Sequence, residues 1–189
     1  MRFARVTTIL QALDKPALKR LEDYLHSPYF KIADGAADLF GYLKTLSSNY
    51  KDEDVSEERI AKKISFLSNR NKQDIIGARL FKAIEHFLVL ENLEQDKYNQ
   101  MQHLLKAYKQ LYLLKHFKRA WCEAMDLVNK DPEQDIDTFF YRHIFTEIAF
   151  NGFDARLNRT KKNDIMPVIK TLDAFYIQKG GRYISNTTE

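Results

Sequence analysis

The chain has 189 residues, 44% of them apolar, with 30 Lys+Arg against 26 Asp+Glu and a single cysteine. That length can bury a full hydrophobic core without covalent staples, and a lone Cys122 rules out an internal disulfide and fits a reducing compartment. The modest charge of +4 argues against a chain built mainly to bind nucleic acid. Its longest aliphatic and aromatic run, Phe87 to Leu90, is far short of the ~20 residues that span a membrane.

Six glycines and four prolines punctuate the chain and none falls between Ala78 and Asp131, so long helices are expected. A short helix opens the chain. Behind Asp14, an N-cap, Leu18, Leu21 and Leu25 recur at helical spacing, with Pro16 in the first turn where its missing N–H is harmless. Ser27-Pro28 ends that helix, because proline biases the residue before it toward extended geometry. Tyr29 and Phe30 are expected to fold back onto the stripes of the two flanking helices. Ala36, Leu39, Phe40, Leu43 and Leu46 make the next stripe, starting near Asp34. Ile60, Ile64 and Leu67 make another behind the acidic stretch Asp52 to Glu58.

Asn71, with Asp74 three residues on, caps a long helix carrying Ile76, Leu80, Ile84, Phe87 and Leu88 toward Leu93. The stripe Met101, Leu104, Leu105, Tyr108, Leu111 then resumes out of phase at Leu114, Phe117, Trp121, Ala124 and Val128. This slip places a turn near Leu113 to His116, although a single bent helix also fits. Ile136 to Asn151 is apolar nearly all round and ends at Gly152, so it is either central or faces a partner, and self-association follows from the second alternative. The last helix, from about Asn163, carries the stripe Ile165, Ile169, Leu172 and Tyr176 and is expected to break at Gly180-Gly181. No segment alternates at period two, so strands are not expected.

Motifs that carry chemistry are few. The sequence holds no glycine-rich phosphate loop, no nucleophile elbow and no Cys-x-x-Cys pair. Asp23 with His26, and His143 with Glu147, each set a carboxylate and an imidazole on one helix face, which is half a metal site at most. A solvent-facing pair is the preferred reading, and no metal, cofactor or catalytic residue is expected. Lys97, Lys106, Lys109, Lys115, Lys118 and Arg119 interleave with Tyr98, Tyr108, Tyr112, Phe117 and Trp121 without an acidic residue. Nucleic acid would suit that composition, but the rings coincide with the apolar stripe, so core aromatics with solvated lysines are preferred. The tightest electrostatic patch, a speculative partner or anion site, is Arg156, Arg159, Lys161 and Lys162.

Leu21-Glu22-Asp23-Tyr24-Leu25-His26-Ser27-Pro28-Tyr29-Phe30-Lys31, followed by Leu39-Phe40 and Leu43, resembles the N-terminal signature of a family of uncharacterised bacterial all-helical proteins. Phe87-Leu88, Leu104-Leu105-Lys106-Ala107-Tyr108 and Leu172-Asp173-Ala174-Phe175-Tyr176 fall in the same order, so the resemblance spans most of the chain. It implies a helical-repeat fold and brings no activity and no site residue. Members of that family continue as repeats beyond this length, with a helix through the segment that Gly180-Gly181 is expected to interrupt. Whether this chain is a short member or the N-terminal part of a larger protein stays open. The unit from Leu104 to Pro132 also has the length of a tetratricopeptide (TPR) hairpin, with Ala120 and Pro132 at favoured positions.

These readings give an all-α protein of about eight or nine helices in antiparallel hairpins, a layered bundle or a short TPR-like array. Residues 1–182 form one helical domain with sub-lobes at 1–70 and 71–182, and 183–189 a polar tail. The expected function is a non-enzymatic protein-interaction or scaffold module in the cytoplasm, with an unidentified protein partner or a second copy. Nucleic-acid binding is the first alternative and an enzyme with an unrecognised site the last.

Overall fold

The computed structural model describes residues 3–32, 35–46, 51, 53–151 and 164–186, the last stretch with side chains to Arg182. Among the described residues the chain is all-α, with nine α-helices, one 3-10 turn (Ser65–Leu67) and no strand. The helices are α1 (Ala4–Ala12), α2 (Lys15–Leu25), α3 (Ala36–Thr45), α4 (Glu57–Lys63), α5 (Arg70–Gln95), α6 (Lys97–Gln110), α7 (Leu114–Lys130), α8 (Ile136–Phe150) and α9 (Met166–Asn186). Two compact units, Met1–Asn92 and Leu93–Glu189, divide the chain. The division lies near the end of α5 and not at residue 70, because Ile76, Leu80, Ile84 and Phe87 of α5 are buried in the core of the first unit.

In the first unit Asp14 caps α2, its carboxylate accepting the Ala17 N–H at 2.7 Å, with Pro16 in the first turn. Leu21 and Leu25 then reach the core beside Leu39, Phe40 and Leu43 of α3. Gly35 precedes α3 at φ 84, a left-handed conformation open to glycine at no steric cost. The helix expected over Ile60 to Leu67 is shorter than its stripe. It ends at Ile64 (φ −125, ψ 90), and Leu67 enters the core from the 3-10 turn instead. Buried Gln73 fixes that break by donating from Nε2 to the carbonyls of Leu67 at 2.8 Å and Glu57 at 3.0 Å. The cap of α5 is Asn69, which accepts the Lys72 N–H at 2.9 Å, two residues before the expected Asn71.

Phe30 packs against the first core, whereas Tyr29 stays 84% exposed and meets the Phe30 ring in a T-shaped contact at 5.0 Å. The expectation that both rings fold back is therefore right for one of them. Phe30 also chooses differently from the sequence reading: its ring meets Tyr24 of α2 and His86 of α5.

In the second unit α6 and α7 are separate helices joined at Leu111–Leu113. Tyr112 there adopts φ 57, and the N–H groups of Leu111 and Leu113 cap the carbonyls of Ala107 at 3.0 Å and Tyr108 at 2.9 Å. Helix α8 contacts α6, α7 and α9. Its apolar circumference thus serves three intramolecular neighbours, which removes the ground for self-association through Phe139 to Phe150. Leu105, Phe117, Ala120, Ala124, Val128, Phe145 and Ile148 form the core. Trp121 donates its indole N–H to the Phe145 carbonyl at 3.2 Å, and Tyr98 stacks on Tyr141 at 4.9 Å. The expected C-terminal residue of α8, Gly152, lies outside the described residues.

Gly180-Gly181 does not break the last helix, which runs on to Asn186, so residues 183–186 are helical backbone and not a tail. Each glycine costs only about 1 kcal/mol relative to alanine in a helix. That cost is met here by anchorage to α8, where Phe175 packs on Phe140 at 5.4 Å and the Thr171 hydroxyl meets His143 Nδ1 at 3.2 Å.

Candidate functional site

Helix α9 is apolar on two faces, and among the described residues one is packed internally. Thr171 and Phe175 turn toward α8. Ile165, Ile169, Leu172 and Tyr176 lie roughly a quarter turn away at 3.6 residues per turn and are 40 to 76% exposed. Met166 and Ile177, also exposed, widen the apolar sector along one flank. The sequence reading singled out this stripe as the helix's apolar face; its four residues are instead presented to solvent. Contiguous exposed apolar patches of about 300–600 Å² on soluble proteins commonly mark interaction sites.

All four residues singled out as an electrostatic patch, Arg156, Arg159, Lys161 and Lys162, lie outside the described residues. Along α6 and α7, Lys97, Lys106, Lys115, Lys118 and Arg119 are exposed and Lys109 is half-buried. Of the interleaved rings, Phe117 is buried and Tyr98, Tyr108 and Trp121 are partly so, while Tyr112 at the hairpin tip is exposed beside Leu111 and Leu113. No row of open rings accompanies the lysines. The Tyr98 phenol is pushed above its ordinary value by burial and by its hydrogen bond to Asp131.

Neither carboxylate–imidazole pair assembles a site. His26 Nδ1 hydrogen-bonds the Glu22 carbonyl at 2.8 Å, and His143 turns to Thr171 and not to Glu147. Among the described residues no three His, Cys, Asp or Glu side chains converge as metal ligands.

Two clefts open on the first unit. One of about 640 Å³ is lined by Glu22, His26, Asp38, Tyr42, Lys63 and Phe66. Its Glu22 carboxylate is paired with Lys44 at 2.7 Å, which holds it below the ordinary range, and its Tyr42 phenol donates to the Asp54 carbonyl at 2.6 Å. The polar groups at its walls are thus partly spent on internal partners. A second cleft of about 540 Å³, between α1 and α5, is floored by Phe3, Val6, Gly77 and Phe81. The Phe3 ring lies so close over Gly77 that a Cβ at that position would overlap it unless the ring moved.

Among the described residues the chain is an all-α, two-unit helical protein whose second unit exposes an apolar face of α9. Compared with protein-family models, curated proteins and solved structures, the chain matches none. No helix among the described residues is long and apolar enough to cross a membrane.

Proposed function

We propose that this chain is a non-enzymatic interaction module, a cytoplasmic TPR-like helical protein of the bacterial family it resembles, and that it engages a protein partner through α9. One observation carries the reading: Ile165, Ile169, Leu172 and Tyr176 form a continuous exposed apolar stripe on a helix anchored to the core of its unit. Covering apolar surface contributes about 25 cal/mol per Å², and a stripe on a braced helix loses little conformational freedom when a partner covers it. Successive packing of α6 on α7, α7 on α8 and α8 on α9 supports the repeat reading. In such arrays each unit's outer face is apolar until the next element covers it.

A photoreactive side chain placed at Leu172 or Tyr176 tests this in the native cell extract. A discrete protein adduct, abolished by Ile169→Glu and missing when the probe sits at exposed Lys130, is the expected result. Diffuse labelling indistinguishable from that at Lys130 would contradict it.

A further inference from the structure

Independently of α9, we infer that the tip of the α6–α7 hairpin docks on an anionic lipid bilayer, Leu111 and Leu113 entering the boundary between headgroups and acyl chains. The tip carries three consecutive large side chains that the core leaves outside: Leu111 and Tyr112 are 66% exposed and Leu113 38%. Leucine gains by leaving water for an apolar phase, and a tyrosine between two leucines suits the interface itself, with an apolar ring and a wet hydroxyl.

The backbone is equipped for that move. Carrying an unsatisfied N–H out of water is the main cost of inserting a turn. Here each N–H from Leu111 to Leu114 is already donated within the hairpin, to the carbonyls of Ala107 at 3.0 Å, Lys109 at 3.2 Å, Tyr108 at 2.9 Å and Tyr112 at 3.2 Å in turn. The rings of Tyr108 and His116 meet at 5.7 Å across the base of the turn, so the tip is braced and loses little freedom on docking.

Charge names the partner. Lys106 and Lys109 precede Leu111 by five and two residues and Lys115 and Lys118 follow Leu113 by two and five, so all four lie within about 8 Å of the tip along the helix axes. That is about one Debye length in physiological salt. None of the four is ion-paired among the described residues, and no acidic residue occurs between Asp96 and Glu123. Glu123 is held by Arg119 at 3.4 Å. Antiparallel packing of α7, α8 and α9, fixed by Trp121 on Phe145, His143 on Thr171 and Phe140 on Phe175, brings Glu147 and Asp164 toward the same end. Asp164 is engaged there in accepting the Met166 N–H at 2.9 Å, and the four lysines outnumber the two carboxylates. A basic collar around an apolar point matches an anionic membrane surface. Single-stranded nucleic acid is the poorer match, because it needs open rings to stack on, and leucine has no π-face.

Co-sedimentation of the purified full chain with phosphatidylcholine vesicles, with and without one part in four of phosphatidylglycerol, provides the test. Binding is expected only with the anionic lipid and should fall about tenfold between about 0.1 and about 0.5 M salt. Lys109→Gln and Lys115→Gln should each weaken it about fivefold, and Leu111→Ser about tenfold, with unchanged helical circular dichroism. In a Cys122→Ser background, an environment-sensitive dye on Leu111→Cys should shift to the blue on the anionic vesicles, whereas the same dye on Lys130→Cys should not. Ile169→Glu should bind vesicles as wild type does. No binding, or binding indifferent to the anionic lipid, would overturn the proposal. An unshifted dye at position 111, wild-type binding by Leu111→Ser, or loss of binding in Ile169→Glu would overturn the assignment to the hairpin tip. Tighter capture of a single-stranded RNA oligonucleotide than of the vesicles would make nucleic acid the partner and overturn the lipid assignment.

Discussion

The Phe30 ring lies 4.6 Å from the ring of Tyr24 and 5.7 Å from that of His86, so the second residue after Pro28 ties α2 to α5. Tyr24 reinforces the tie with a 2.6 Å hydrogen bond between its hydroxyl and His86 Nδ1, and burial raises its phenol above the ordinary value. Fully buried Phe→Ala changes cost about 3–5 kcal/mol; for half-buried Phe30 about 2–3 kcal/mol is expected. Tyr29→Ala should stay within about 0.5 kcal/mol. Urea titration of the two variants checks the contrast, and equal losses would contradict it.

Gly77 and Phe3 form a close pair whose substitution effects should change sign with context. Gly77→Ala gains about 1 kcal/mol of helix propensity, yet its methyl must displace the Phe3 ring from α5. The expected net effect is a loss of about 1 kcal/mol, with reduced amide protection in α1. In a Phe3→Ala background the same substitution should stabilise by about 1 kcal/mol. A double-mutant cycle measured by denaturation reads this directly, and additivity would exclude the proposed contact.

Acid should weaken the entry to α8. The Asp135 carboxyl is held below its ordinary range chiefly by the Thr138 N–H, which it accepts at 2.9 Å, with help from the Thr138 hydroxyl, Asp137 backbone and Arg182 charge. A folded value below the unfolded one means that this stabilisation is complete above about pH 4 and is lost as pH falls through the folded value. Asp135→Ala should cost about 1 kcal/mol at neutral pH. Its deficit relative to wild type should shrink near pH 3, and a deficit equal at both pH values would count against the cap.

Tyr112 carries a left-handed backbone at φ 57 in the α6–α7 turn, a conformation that costs a non-glycine residue about 1–2 kcal/mol. Its ring is largely exposed, so little burial is forfeited on removal. Tyr112→Gly should stabilise by about 0.5–1 kcal/mol, the gain being trimmed by glycine's extra freedom in the unfolded chain. Thermal denaturation of the variant checks the sign.

Much of the fold was legible where cap and stripe agree, as with Asp14 ahead of Leu21 and Leu25; the phase slip between Leu111 and Leu114 fitted two helices or one bent helix, and the structure has two. What escaped has physical causes. Asn69 and Asn71 are equal candidates for a cap until the side-chain geometry is known. Tyr112 takes a role that glycine usually announces, and Gly180-Gly181 announces a break that packing against α8 overrides. The interaction surface was half legible. Spacing picks out Ile165, Ile169, Leu172 and Tyr176, but α9 has a second apolar face, and nothing in the spacing says that Phe175 turns to α8 and leaves the regular stripe outside.

The central claim, that this stripe is open to a partner, is most directly tested by bleaching of methyl NMR signals with a soluble nitroxide at a dilution where the chain is monomeric. Ile165, Ile169 and Leu172 should bleach strongly while buried Leu105 and Val128 do not. Protection of the three α9 methyls equal to that of Leu105 would contradict the account.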